Sequence, residues 1–185
     1  MHGALPVQRS SPTRATAAKI AVLIPSLAGG GAERSMLNLA KAFIERGRKV
    51  DLLVCQNKGA YVDSIPSGVQ LVALDSVGHL RGRLAALRAN LANPLPVARA
   101  VLLPKKAAPD IEYILSLKDY ILEREPDVIL SAITYANLIA LWAKHLYGTS
   151  VPVVVSERIM LSHHCENETF RRKWRWRYLP RRLSF

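Results

Sequence analysis

Gly29, Gly30 and Gly31 stand in a row, with Glu33 and Arg34 just behind them. Each glycine inside a helix would cost about 0.5–1 kcal/mol relative to alanine, so the three belong to a loop. A loop without side chains lets backbone N–H groups approach a ligand. A helix beginning behind it adds unpaired donors and a partial positive charge. Phosphate or another oxygen-rich anion is the ligand such a loop favours, while a tight turn with no ligand fits the same spacing equally well. Two named phosphate motifs are excluded: G-x-x-x-x-G-K-[ST] does not occur, and Arg34 stands where G-x-G-x-x-G needs its third glycine. Asp51 lies about 20 residues on, but it opens its strand where a ribose-binding acid should close one, so a dinucleotide site is disfavoured.

Two other clusters follow apolar runs: Ser131 to Asn137, and Ser156-Glu157-Arg158. Thr134, Tyr135, Asn137, Ser156 and Glu157 could hold a polyol by hydrogen bonds, with Arg158 meeting a phosphate. Glu157 is the candidate for orienting a hydroxyl or taking its proton, a task for which a carboxylate is weak unless its surroundings strengthen it. The plainer reading is that Ser131, Thr134 and Ser156 cap helices or close strands. His163 and His164 are adjacent, point apart and have no evident third partner, so no metal is expected. Cys55 and Cys165 have no close spacing, which suits a reducing compartment and neither a metal site nor a disulfide framework.

The elements that must position these groups alternate. Ile20 to Ile24 is an unbroken apolar run, as in a strand buried on both faces. Met36, Leu39, Ala40, Phe43, Ile44 and Gly47 recur at helical spacing, and a second apolar strand runs to Val54. Val69 to Leu74 is a third strand. Leu80, Leu84, Leu87 and Leu91 then form a stripe on a helix with Arg81, Arg83 and Arg88 on other faces, stopped by Pro94 and Pro96. A helix from Asp110, a buried strand Asp127 to Ser131, a helix from about Tyr135 to Tyr147 and a strand Val151 to Val155 complete the pattern. The expected fold is α/β: a Rossmann-like parallel sheet of about five strands flanked by helices, with functional groups at the carboxyl ends of the strands.

Pro25-Ser26-Leu27, the glycines, Glu33-Arg34 and Ser-Met-Leu-Asn-Leu-Ala-Lys-Ala-Phe together resemble the start of a glycosyltransferase of the GT-B fold, family GT4. The resemblance covers roughly residues 19 to 170. It implies the N-terminal, acceptor-side half of a two-domain enzyme, in which the first loop faces the interdomain cleft. Gly29, Gly30, Gly31, Glu33, Thr134, Tyr135, Asn137, Ser156 and Arg158 would then bind substrate, with Glu157 the catalytic candidate. The resemblance further implies retaining transfer from a nucleotide-sugar co-substrate to a saccharide or lipid-linked acceptor, with no cofactor. Where many family members carry a histidine, this chain reads Ser156-Glu157-Arg158, with Ile159 in place of the asparagine of the Ser-Glu-Arg-Asn branch it resembles. The donor domain with the family's paired glutamates is not in these 185 residues, so the chain alone should transfer little sugar, and a separate domain or chain would have to supply that half.

The net charge of +12 is unevenly spread over a chain whose mean hydropathy is +0.10. Residues 1–19, 76–109 and 170–185 contain no acid and carry most of the cations, which leaves the rest mildly acidic. Residues 1–18 read as a disordered tail, 19–169 as the α/β domain, and 170–185 as a basic aromatic helix or tail, the start of a family helix cut short. The leucine stripe can cover a core, or with Arg81, Arg83 and Arg88 it can lie on an anionic membrane, where Trp174 and Trp176 would join it. No apolar run reaches the length of about 18 residues that spans a bilayer, and no secretory signal is evident. The expected location is cytoplasmic, peripheral to the inner membrane face. The competing reading is a non-catalytic basic module for anionic membranes or nucleic acid, with nucleic acid the less favoured partner.

Overall fold

The computed structural model describes residues 17–89 and 109–158. His163, His164, Cys165, Trp174 and Trp176, Leu91 with the prolines behind it, and nearly all of both tails lie outside them. The strands are β1 (Lys19–Ser26), β2 (Lys49–Gln56), β3 (Val69–Ala73), β4 (Val128–Ala132) and β5 (Val153–Ser156). The helices are α1 (Gly31–Glu45), α2 (His79–Ala89), α3 (Ile114–Arg124) and α4 (Thr134–Tyr147), with 3-10 turns at Val62–Ser64 and Pro109–Glu112.

All five strands are parallel, in the order β3-β2-β1-β4-β5. β1 is central, and Ala21, Val22, Leu23 and Ile24 are fully buried because helices cover both faces. Alternation along the strands divides the core. Ile20, Val22, Ile24, Leu52 and Val54 meet α1, while Ala21, Leu23, Leu53 and Ile129 meet α2, α3 and α4. Each such aliphatic side chain contributes about 1.5–3 kcal/mol by leaving water. The chain moves outward from β1 through β2 to β3, then crosses back to β4, so the switch point lies between β1 and β4. In open α/β sheets the loops leaving such neighbouring strands diverge, and ligands bind at that carboxyl edge.

At the opposite edge a buried ionic cluster ties the sheet to α3. Asp51 accepts a hydrogen bond from the Tyr120 hydroxyl at 2.9 Å and lies 3.5 Å from Lys19 Nζ, which also donates to the Arg124 carbonyl at 2.8 Å. Burial, and then the bond to Asp51, push the Tyr120 phenol well above its ordinary pKa.

Three expectations shift. The helix expected from Asp110 begins as a 3-10 turn, and α3 starts only at Ile114. β5 starts at Val153 because Pro152 has no N–H to give the ladder; its carbonyl instead accepts from Ile129 N at 2.9 Å. On α2 the leucine stripe is split: Leu80 is 72% and Leu84 49% exposed, whereas Leu87 packs partly buried against the core beside the buried Gly82 and Ala86. Gly82 lies so near the Ile111 carbonyl that a Cβ would overlap it, and this close approach leaves Leu80 and Leu84 outward.

Candidate functional site

The glycine loop is fixed from below by the loop after β2. Leu27 is fully buried, its N–H donates to the Lys58 carbonyl at 3.1 Å, and its carbonyl accepts from Tyr61 N at 3.0 Å. Gly59, at φ +131°, sits against Leu27 so closely that a Cβ would run into the Leu27 carbonyl oxygen. This second loop is a part of the site that sequence reasoning missed; the only signal was the turn-like string Gln56-Asn57-Lys58-Gly59. Gly29 (φ +111°), Gly30 and Gly31 are exposed above it, and Gly30 caps α1 in an extended conformation.

Glu33 changes the character of this loop. It is only 9% exposed, and its carboxylate curls back over Gly30 so that a Cβ there would collide with it. The positive end of α1 is therefore already beside an internal carboxylate, which weakens the case for a phosphate bound at that position. Among the described residues no side chain donates to Glu33, and its two oxygens keep acceptor capacity toward the loop.

Across the switch point, Ser131, Thr134, Asn137, Ser156 and Glu157 form one hydrogen-bonded group. Ser131 Oγ donates to Asn137 Oδ1 at 2.8 Å, and Asn137 Nδ2 donates to the Ser156 carbonyl at 3.1 Å and to Glu157 Oε2 at 3.4 Å. Thr134 Oγ1 donates to Glu157 Oε1 at 2.7 Å. The Glu157 carboxylate thus lies against the first turn of α4, where the helix dipole favours an anion. Ile133, a β-branched residue at φ +72°, begins that helix. Its strained backbone is held by its own N–H donating to the Ser156 carbonyl at 3.2 Å.

The structure therefore divides the expected binding residues. Thr134 and Asn137 are 3% and 1% exposed and turn their polar atoms inward, onto Glu157 and the Ser156 carbonyl, and neither caps a helix. Ser156 gives its carbonyl to Ile133 and Asn137. Glu33 and Glu157 retain acceptor surface, and Tyr135, half-buried, meets the Tyr113 ring edge-on at 6.4 Å. Burial, reinforced by Glu112, pushes the Tyr113 phenol up and keeps it protonated. Arg158 is exposed and reaches across to α1, its Nη2 3.6 Å from Met36 Sδ, one turn beyond Glu33. This contact ties the residues after β5 to α1. Arg81, Arg83 and Arg88 lie elsewhere, on α2.

No group of three His, Cys, Asp or Glu that could hold a metal occurs among the described residues, nor any helix long and apolar enough to cross a membrane. A search of curated proteins finds no match. Among solved structures, the apo form of a lipopolysaccharide outer core galactosyltransferase, WaaB, is similar over 82% of this chain, with a TM-score of 0.50 and 15% identity. The chain spans 37% of that protein, and the likeness bears on the fold: a Rossmann-like sheet matching part of a GT-B glycosyltransferase. Residues 29–185, from the glycine loop through both strand-end clusters, match the family profile described as Glycosyltransferase Family 4. On that span the chain belongs to glycosyltransferase family 4.

Proposed function

We propose that this chain is the acceptor-binding domain of a family 4 glycosyltransferase, and that it receives the saccharide whose hydroxyl is to be glycosylated. One observation carries the reading: a carboxylate lies at the head of each helix that leaves the switch point, Glu33 from α1 itself and Glu157, the residue after β5, against α4. Carboxylates accept hydrogen bonds from hydroxyls and repel phosphates, so a crevice built this way suits a polyol better than a nucleotide. Arg158 is the group left to meet a phosphate, either of the donor or of a lipid-linked acceptor.

In this reading Glu157 orients the attacking hydroxyl, and Thr134 and Asn137 hold its carboxylate in one rotamer. The nucleotide-sugar comes on a donor-binding domain outside these residues, so the chain alone transfers little sugar. The acceptor is a lipid-linked or polysaccharide precursor met at the cytoplasmic face of a membrane.

Ligand-observed NMR on the 185-residue protein tests this. Methyl glycosides of glucose, galactose and mannose should give saturation transfer that weakens in Glu33→Gln and in Glu157→Gln, while UDP-glucose alone should give little. Strong binding of UDP-glucose with no response from any glycoside would overturn the assignment, as would sugar transfer by the chain alone at ordinary enzyme rates.

A further inference from the structure

We infer that Ile133 is a specificity residue of this site: its side chain is the apolar floor for the C–H face of a pyranose ring, so the acceptor ends in a closed sugar ring and not in an open-chain polyol. This rests on the acceptor assignment and narrows it. The backbone at Ile133 has φ +72° and ψ 137°, a conformation open to glycine and strained for a β-branched residue. Among the described residues the only other non-glycine at positive φ is Glu125, which closes α3 in the ordinary left-handed cap at φ 45° and ψ 61°. At Ile133 the strand and the helix leave no spare residue. Ala132 ends β4, Thr134 begins α4, and Ile133 alone makes the turn. Two backbone bonds hold it, from its own N–H to the Ser156 carbonyl at 3.2 Å and from Asn137 N–H to its carbonyl at 3.0 Å. Glycine would make both bonds without the strain, so the turn itself does not call for an isoleucine.

Core packing does not call for it either. Ala132 lies in the core that meets α1, whereas Ile133 is half-buried and belongs to neither core cluster of the described residues. Its neighbours indicate the use of the side chain. Thr134, next in the chain, donates to Glu157 Oε1 at 2.7 Å, and Ser156, whose carbonyl accepts from Ile133 N, directly precedes Glu157. An aliphatic group therefore stands one residue from the contacts that fix the acceptor-orienting carboxylate. A pyranose has a hydroxyl edge and a flat C–H face, and it can give the first to Glu157 and the second to Ile133. An open-chain polyol offers Glu157 the same hydroxyls but has no flat face to take out of water.

Saturation transfer from isoleucine methyls tests this in the full 185-residue chain, deuterated except at its isoleucine Cδ1 groups. With methyl glucoside bound, saturating those methyls should reach the ring C–H protons of one face. Ile133→Val keeps the branched shape and removes the label, so it should abolish the transfer while weakening binding by about fourfold at most. Ile133→Gly should raise the Kd by about tenfold, the loss of a half-buried aliphatic side chain. It should not lower the urea midpoint, because the strain is relieved. Sorbitol should bind more weakly than the glucoside, and equally to wild type and Ile133→Gly. A lowered urea midpoint in Ile133→Gly would make Ile133 a packing residue and overturn the inference. So would an affinity unmoved by that change, transfer that is absent in wild type or survives Ile133→Val, or sorbitol bound as tightly as the glucoside. Glycoside binding that still weakens in Glu157→Gln would then leave the acceptor assignment standing, whereas a wild type that binds no glycoside would sink both.

Discussion

Replacing Asn137 with Asp probes the junction on which the site depends. The change is nearly isosteric, so packing is kept and only the chemistry differs. It removes two donated hydrogen bonds, to the Ser156 carbonyl and to Glu157 Oε2, and sets a second carboxylate 3.4 Å from Glu157. Two full charges at that distance repel by about 5 kcal/mol at an effective dielectric of 20. The introduced carboxyl avoids this by keeping its proton. Holding that proton at pH 7 against an ordinary aspartate pKa near 4 costs about 4 kcal/mol, and only about 1.5 kcal/mol at pH 5. The sign follows from linkage: the introduced group's folded pKa is raised, so stability is intact below pH 4 and is lost as pH climbs. Urea unfolding of wild type, Asn137→Asp and Asn137→Ala at pH 5 and pH 7 measures it. Asn137→Asp should lose about 2–3 kcal/mol more at pH 7 than at pH 5, whereas Asn137→Ala should lose the same at both. A pH-independent penalty for Asn137→Asp would mean Glu157 is not beside Asn137, and the bonded cluster would be wrong.

Two further outcomes are expected. Tyr120→Phe removes the hydroxyl that Asp51 accepts from, at a cost of about 1–3 kcal/mol. The raised Tyr120 pKa also stabilises the fold below pH 10 and withdraws that stability at higher pH, by up to about 1.4 kcal/mol per pH unit. Tyr113 and Tyr147 are raised as well, so the difference between wild type and Tyr120→Phe from pH 9 to 11.5 isolates Tyr120; parallel curves would contradict the buried bond. Gly59→Ala adds a methyl at φ +131° against the Leu27 carbonyl and should cost about 2–4 kcal/mol, read as a lowered urea midpoint. An unchanged midpoint would show that the two loops do not pack as described.

The fold was legible wherever one face or both faces of an element are buried. Ile20 to Ile24 and the run to Val54 read as strands because no polar residue breaks them except Asp51, which is satisfied by Lys19 and Tyr120. Periodicity found α2 but left open which way its leucines face, and the structure splits them. The side that touches the core is chosen by how near the backbones can come, which puts Gly82 and Ala86 inward with Leu87 and leaves Leu80 and Leu84 outside. Topology alone brought Ser26 to Glu33, Ser131 to Asn137 and Ser156 to Arg158 to one edge. The sequence could not tell which of them would be spent on each other. Thr134 and Glu157 are 23 residues apart and pair only because β4 and β5 are neighbours, with Ala132 opposite Ser156.

The placement of Glu33 and Glu157 bears on what a glycine loop before a helix is for. A helix head attracts anions whatever their source. At this switch point the chain supplies both itself: Glu33 from the first turn of α1, and Glu157 from the residue after β5. The helix dipoles are thereby offset from within, and the groups presented outward become acceptors. Gly30 keeps its meaning, since only glycine leaves room for the Glu33 carboxylate above it. The loop's lack of side chains then makes space for a protein carboxylate.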